Sequence, residues 1–136
     1  MNLQLTNQVD CAIRAMAFLA WNEQGKWIPS NVIAEEMQIS RMFLSRINML
    51  LARAGLIRTQ RGAKGGVMLA KPASEINVYE VIEAIEGPVL INKCLGNTDP
   101  CTFPLSEQLK RYWQMTQDFI DEKLKGTSLA DLIEHN

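Results

Sequence analysis

The chain has 136 residues, 14 Lys and Arg against 15 Asp and Glu, and 47% hydrophobic residues, which suits about one domain with a buried core. No apolar run of about 18 residues is present, which excludes a helical membrane span. The opening MNLQLTNQVD lacks the basic and apolar regions of a signal peptide. The expected location is cytoplasmic, where the three cysteines read as thiols or metal ligands more readily than as structural disulfides.

Taken in chain order, Thr6 predicts an N-cap for a helix to about Asn22. Val9, Ile13, Ala17 and Ala20 mark an apolar face, with Met16 and Leu19 beside it. Gly25 ends that element, and Trp27-Ile28-Pro29 reads as a short extended piece. Ser30 is placed to cap a short helix over Asn31–Met37. Ser40 caps a longer one, Arg41–Ala54, whose apolar face is Phe43, Leu44, Ile47, Leu50 and Leu51. Arg41, Met42, Ser45, Arg46 and Asn48 fall toward the other side. Two helices joined by Gln38-Ile39-Ser40 predict a helix-turn-helix with the second helix as the reader.

Leu56–Gln60 and Val67–Ala70 read as strands around Arg61-Gly62-Ala63-Lys64-Gly65-Gly66, a β-wing. A helix is expected at Val78–Glu86, stopped by Gly87-Pro88, then an irregular loop over 89–103 holding Cys94 and Cys101. Pro104–Lys125 reads as one long helix with a stripe at Leu105, Leu109, Trp113 (with Tyr112), Thr116, Ile120 and Leu124. A seam of this length suits a symmetric homodimer. A last short helix spans Leu129–Glu134. The fold class is therefore mainly α with a small β-wing: a winged helix-turn-helix plus a long C-terminal dimerisation helix. The expected organisation is a DNA-binding domain at 1–87, a cysteine loop at 88–103, and dimerisation and C-terminal helices at 104–136.

Charge is segregated along this chain. Residues 38–74 carry Arg41, Arg46, Arg53, Arg58, Arg61, Lys64 and Lys71 and no acid, whereas 75–136 hold eleven Asp and Glu against five Lys and Arg. Phosphate binding depends on the local field, so the basic stretch outweighs the global pI near 5.8. Double-stranded DNA is the expected partner, with Ser40, Arg41, Ser45 and Arg46 at the major groove. Arg61 and Lys64 would reach the backbone or the adjacent minor groove. A solvated basic face serving protein contacts is the bland alternative, and Trp21, Trp27 and Met42 would favour it; Trp21 and Trp27 are expected in the core or an interface. An enzyme is not expected, because one histidine, His135, lies at the end and no Ser/His/Asp set or phosphate loop is visible.

Cys94 and Cys101 are separated by LGNTDP, a loop composition. Two thiolates there could ligate iron or zinc, although two are not a complete site. They could also form a metal-free redox or nitrosative sensor, or be incidental.

The chain resembles the Rrf-two winged-helix regulators of the IscR, NsrR and CymR type over nearly its whole length. The carrying motifs are LTNQVDCAIRAMAFLA, IAEEMQIS, LLARAGLIRTQRGAKGGVMLAKP, VYEVIEAIEG and SLADLI. The resemblance implies a homodimeric transcription regulator, expected to be a repressor, contacting DNA through Ser40, Ser45, Arg46 and the wing Arg61. Many members have an acid at the Ser45 position, so a different base is expected to be read there. It also implies an iron–sulfur cluster, 2Fe–2S or 4Fe–4S, on Cys94 and Cys101 with Asp10 as a further ligand and Cys11 or Asp99 as alternatives. The sequence departs from the pattern at Pro104, where cluster-binding members place a His. The runner-up implication is a metal-free regulator acting through thiol oxidation or a protein partner.

Overall fold

The structure is a computed structural model that describes residues 4–22, 25–96 and 101–134. The first helix, α1 (Asn7–Trp21), starts where the Thr6 hydroxyl accepts from the Val9 N–H at 3.2 Å. Its buried side is Val9, Cys11, Ala12, Ala15, Met16, Phe18, Leu19 and Ala20. Ile13 and Ala17 of the expected face are only partly buried. The difference arises because α1 is packed by α2, α3, α4 and α6 together, so more than one face is covered.

The next helix, α2 (Ser30–Met37), begins at Pro29 with no side-chain cap. The Ser30 hydroxyl instead accepts from Asn48 Nδ2 at 3.2 Å. Gln38 takes a left-handed conformation, φ 56°, and turns the chain into α3 (Arg41–Arg53). Ser40 caps α3 by accepting from Phe43 N–H at 3.2 Å. Leu44, Ile47 and Leu51 are buried, as expected; Asn48 is buried too, which corrects its placement on the outer face. The physical reason is α2, which lies over that flank of α3 and supplies the Ser30 partner.

The sheet is an antiparallel pair, β1 (Ile57–Gln60) and β2 (Gly66–Leu69), in register Ile57 to Leu69 and Gln60 to Gly66. The extended Trp27–Pro29 piece adds one rung, with Ile28 N–H donating to Val67 O at 2.9 Å and Val67 N–H to Ile28 O at 2.8 Å. A Cβ on Gly66 would collide with the Ile28 carbonyl, and one on Gly65 with the Gln60 carbonyl. The wing therefore needs glycine at the end of its turn for close backbone approach.

A short 3-10 turn, Ala73–Glu75, leads to α4 (Val78–Glu86). Asn77 and Glu80 form a reciprocal capping box. After the cysteine loop, α5 spans Ser106–Lys125, starting two residues later than expected because Leu105 is left-handed at φ 73°. The chain then returns: Val78 N–H donates to Thr127 O at 2.9 Å and Leu129 N–H to Ile76 O at 2.8 Å. The short α6 (Leu129–Leu132) buries Leu129 completely in the main core with Met16, Ile33, Ile47 and Leu51. Among the described residues no helix is long and apolar enough to cross a membrane.

Gly66→Ala is expected to destabilise the chain by about 2 kcal/mol or more, since φ is +146° and the added carbon meets backbone. Denaturant unfolding checks this, and an unchanged midpoint would contradict the packing given for the wing.

Candidate nucleic-acid interface and cysteine loop

The inner face of α3 is consumed by the core, so its outer face is defined by subtraction. Ser40, Arg41, Ser45 and Arg46 are all exposed, as are Arg61 and Lys64 in the turn of the wing. Among the described residues no carboxylate pairs with any of these four cations. Lys71 is different: its ammonium donates to Glu80 Oε2 at 3.2 Å, the carboxylate of the α4 capping box. One of the seven positive charges of the basic stretch is therefore engaged in structure. Arg53 and Arg58, at the end of α3 and in β1, are exposed.

Met42 stands outside the set of readers expected from the sequence, yet it is 87% exposed on the first turn of α3. Trp21 is a second large apolar side chain at the surface. Of the core or interface placement expected for it, the core is ruled out: it is exposed and borders an apolar groove of about 270 Å³ with Phe18, Met37, Leu132 and Ile133. Trp27 is partly buried.

The cysteine loop leaves α4 and makes a 3-10 turn at Lys93–Leu95, begun by Asn92 accepting from Cys94 N–H at 2.9 Å. Where the sequence predicts thiols or metal ligands, Cys94 and Cys101 are instead joined in a disulfide with Cα atoms 5.6 Å apart. Cys11 is a free thiol buried in the core.

The described residues do not assemble a metal site within one chain. The described residues contain no group of three or more His, Cys, Asp or Glu able to hold an ion. Asp10 accepts from Arg14 Nε at 3.1 Å and also from Nη2, while Arg14 Nη1 donates to Met37 O at 3.1 Å. The hydrogen bond to Asp10, and then its charge, raise the Arg14 pKa further, so the guanidinium stays charged. Asp99 and His135 lie outside the described residues.

What ties the cysteine loop to α5 is Gln117, 3% exposed and not anticipated from the sequence. Its Oε1 accepts from Ile91 N–H at 2.8 Å, and its Nε2 donates to Val89 O at 2.6 Å and Asp121 Oδ1 at 2.9 Å. A glutamine, one of three in α5, gives no periodic signal. Around it the helix has two sides. Leu124 packs toward Val9, Val78 and Ile82. Leu105, Leu109, Tyr112, Met115 and Phe119 are left exposed, Phe119 by 78%. The expected stripe assigns Trp113, Ile120 and Leu124 to the seam, but these are partly covered by the rest of the chain.

A helix-turn-helix followed by a β-wing, with a basic outer face, defines a winged-helix protein. Comparisons agree. The family model Rrf2, described as an iron-dependent transcriptional regulator, matches residues 5–135. The chain is 34% identical over 135 residues to Protein aau3 of Rhizobium meliloti (strain 1021), covering 97% of this chain and 86% of that one. It resembles the oxidized form of Staphylococcus aureus CymR, with a TM-score of 0.76, 30% identity and 98% of each chain covered. It also resembles T. potens IscR, with a TM-score of 0.75, 26% identity, and 98% of this chain and 88% of that one covered. The chain belongs to the Rrf2 family of transcriptional regulators, whose members are not enzymes.

Replacing Gln117 by Leu should leave the Ile91 N–H and Val89 carbonyl without partners, at a cost of roughly 1–3 kcal/mol. Amide exchange should quicken at Ile91 before the core amides of α1. Equal acceleration everywhere would show that the clamp does not hold the loop locally.

Proposed function

We propose that the protein is a homodimeric, sequence-specific DNA-binding repressor whose affinity is set by the state of Cys94 and Cys101. The observation that carries the DNA reading is that Arg41, Arg46, Arg61 and Lys64, in a stretch without acids, are exposed and unpaired with any carboxylate among the described residues, with the exposed Ser40 and Ser45 in the same stretch. In this reading α3 lies in the major groove, Ser45 and Arg46 meet base edges, and Ser40 and Arg41 meet phosphate. The wing places Arg61 and Lys64 on the flanking backbone or minor groove. Residues 1–87 act as the reader, 88–103 as the sensor loop and 104–136 as the dimerisation unit.

Dimerisation is assigned to the exposed side of α5. Leu105, Leu109, Tyr112, Thr116 and Phe119 follow steps of four and three, the spacing of a coiled-coil seam. Exposed aromatic and aliphatic side chains in that pattern favour a second copy of the same helix. Two readers related by a two-fold axis would select a pseudo-palindrome.

For the switch, the pairing of Cys94 with Cys101 favours a dithiol–disulfide couple. Oxidation forms one S–S bond as two thiols give up two electrons and two protons to a disulfide or peroxide oxidant. Closing the loop would alter what Gln117 holds, and so the start of α5. The family's iron-dependent description and the likeness to IscR favour a second reading, an iron–sulfur cluster with Cys94, Cys101 and Asp10 among its ligands. That reading is helped by donors from a second chain, because the described residues of one chain bring two loop sulfurs, a Cys11 buried in the core and an Asp10 held by Arg14.

Arg46→Ala is expected to weaken binding to a selected pseudo-palindrome about tenfold or more. Arg61→Ala should flatten the plot of log affinity against log salt by about 0.9 for each phosphate the wing no longer neutralises. Phe119→Asp should sediment as a monomer and lose most of its affinity. Parent-like binding by both arginine variants would mean that the reading surface is elsewhere.

The switch is checked by binding isotherms in dithiol and in disulfide buffers beside iron and sulfide analysis after anaerobic reconstitution. A thiol couple predicts metal-free protein whose affinity changes with the buffer, and loss of that change in Cys94→Ser. Stoichiometric iron and sulfide that disappear in Cys94→Ser would establish the cluster instead.

A further inference from the structure

We infer that Met42 is a specificity-determining residue that reads the 5-methyl group of a thymine in each half-site. This rests on α3 entering the major groove. The starting observation is exposure: Met42 is 87% open on a helix whose other large apolar side chains toward the N-terminus, Phe43 and Leu44, are partly or fully buried. Ser40 caps the helix, which makes Met42 its second residue. The opening turn of a recognition helix is the part that meets base edges. Met49, also exposed, lies seven residues on, about 10 Å further along the axis.

The surroundings select the occupant. Met42 stands between Arg41 and Arg46 in a stretch without acids, so a polyanion is the complementary partner. Within a major groove lined by phosphates and hydrogen-bonding base edges, the apolar feature on offer is the thymine methyl. A thioether on an unbranched side chain adapts to such a contact without needing fixed hydrogen-bond geometry. Burying one methyl against it accounts for about fourfold in affinity per half-site, and about sixteenfold for a dimer on two.

The test begins by selecting bound duplexes from a random double-stranded library with the full chain. Each thymine of the selected duplex is then replaced by deoxyuridine, which removes the methyl alone. Binding is measured for the parent, Met42→Ala and Met42→Leu. One symmetry-related thymine pair should cost the parent about fourfold per site when demethylated. Met42→Ala should bind the unmodified duplex more weakly by a similar factor and be indifferent to that replacement. Met42→Leu should keep the dependence. The inference is overturned if the parent is insensitive at every thymine, or if Met42→Ala remains as sensitive as the parent. Parent-like binding of all duplexes by Met42→Ala would also overturn it, and would turn Met42 toward a protein partner. A library that yields no preferred duplex would instead sink the DNA reading itself, and this inference with it.

Discussion

Burial of Leu44, Ile47 and Leu51 against α1 and α2 settles the orientation of α3, and most of what the protein presents follows from it. Each such side chain contributes about 1.5–3 kcal/mol when removed from water. Turning the helix by one residue, about 100°, would expose part of this set and drive Arg41 or Arg46 toward the core. The basic face is therefore not held out by contacts of its own. It is the remainder left when the apolar face is satisfied. The wing is aimed by a separate constraint, the Ile28–Val67 rung, which ties β2 to the chain entering α2.

The second half of the molecule is anchored at two places. Leu129 lies in the main core and the Thr127–Val78 and Leu129–Ile76 hydrogen bonds hold the end of α5 beside the start of α4. At its middle, Gln117 fastens the segment that leads to Cys94. A polar clamp that buried cannot be broken without leaving groups unpaired. The segment before Cys94 is thus fastened directly to α5. The face of α5 turned away from this anchor carries the exposed Tyr112, Met115 and Phe119.

Much of the architecture was legible because its signals are local. Thr6 and Ser40 stand where a side-chain hydroxyl accepts from a helical N–H three residues on, and both act as the caps expected, whereas Ser30 is drawn off to Asn48 and α2 has no side-chain cap. The bounds of α4 agree with expectation because a capping box opens it and Gly87 closes it. The hairpin was marked by glycines between apolar runs. Where periodicity was read as a single stripe, it misled. Helix α1 is covered on several sides, so its buried set is wider than Val9, Ile13, Ala17 and Ala20. Helix α5 divides its apolar residues between its own domain and solvent, and spacing alone cannot separate two adjacent stripes.

The sequence by itself determined the charge segregation, the element order and the caps of α1 and α3, since each depends on residues within a turn or two of one another. It also carried the family motifs, from Leu5 to Ile133. Only the tertiary structure decided which polar groups are spent internally. Lys71 meets Glu80, Asn48 meets Ser30, Asp10 meets Arg14 while that guanidinium also reaches Met37, and Gln117 meets the backbone of residues 89 and 91. Most of these pairings join residues distant in the chain, and they form only because hydrophobic burial has already brought the elements together. What remains outside them, on α3 and the wing, is the surface proposed to meet DNA.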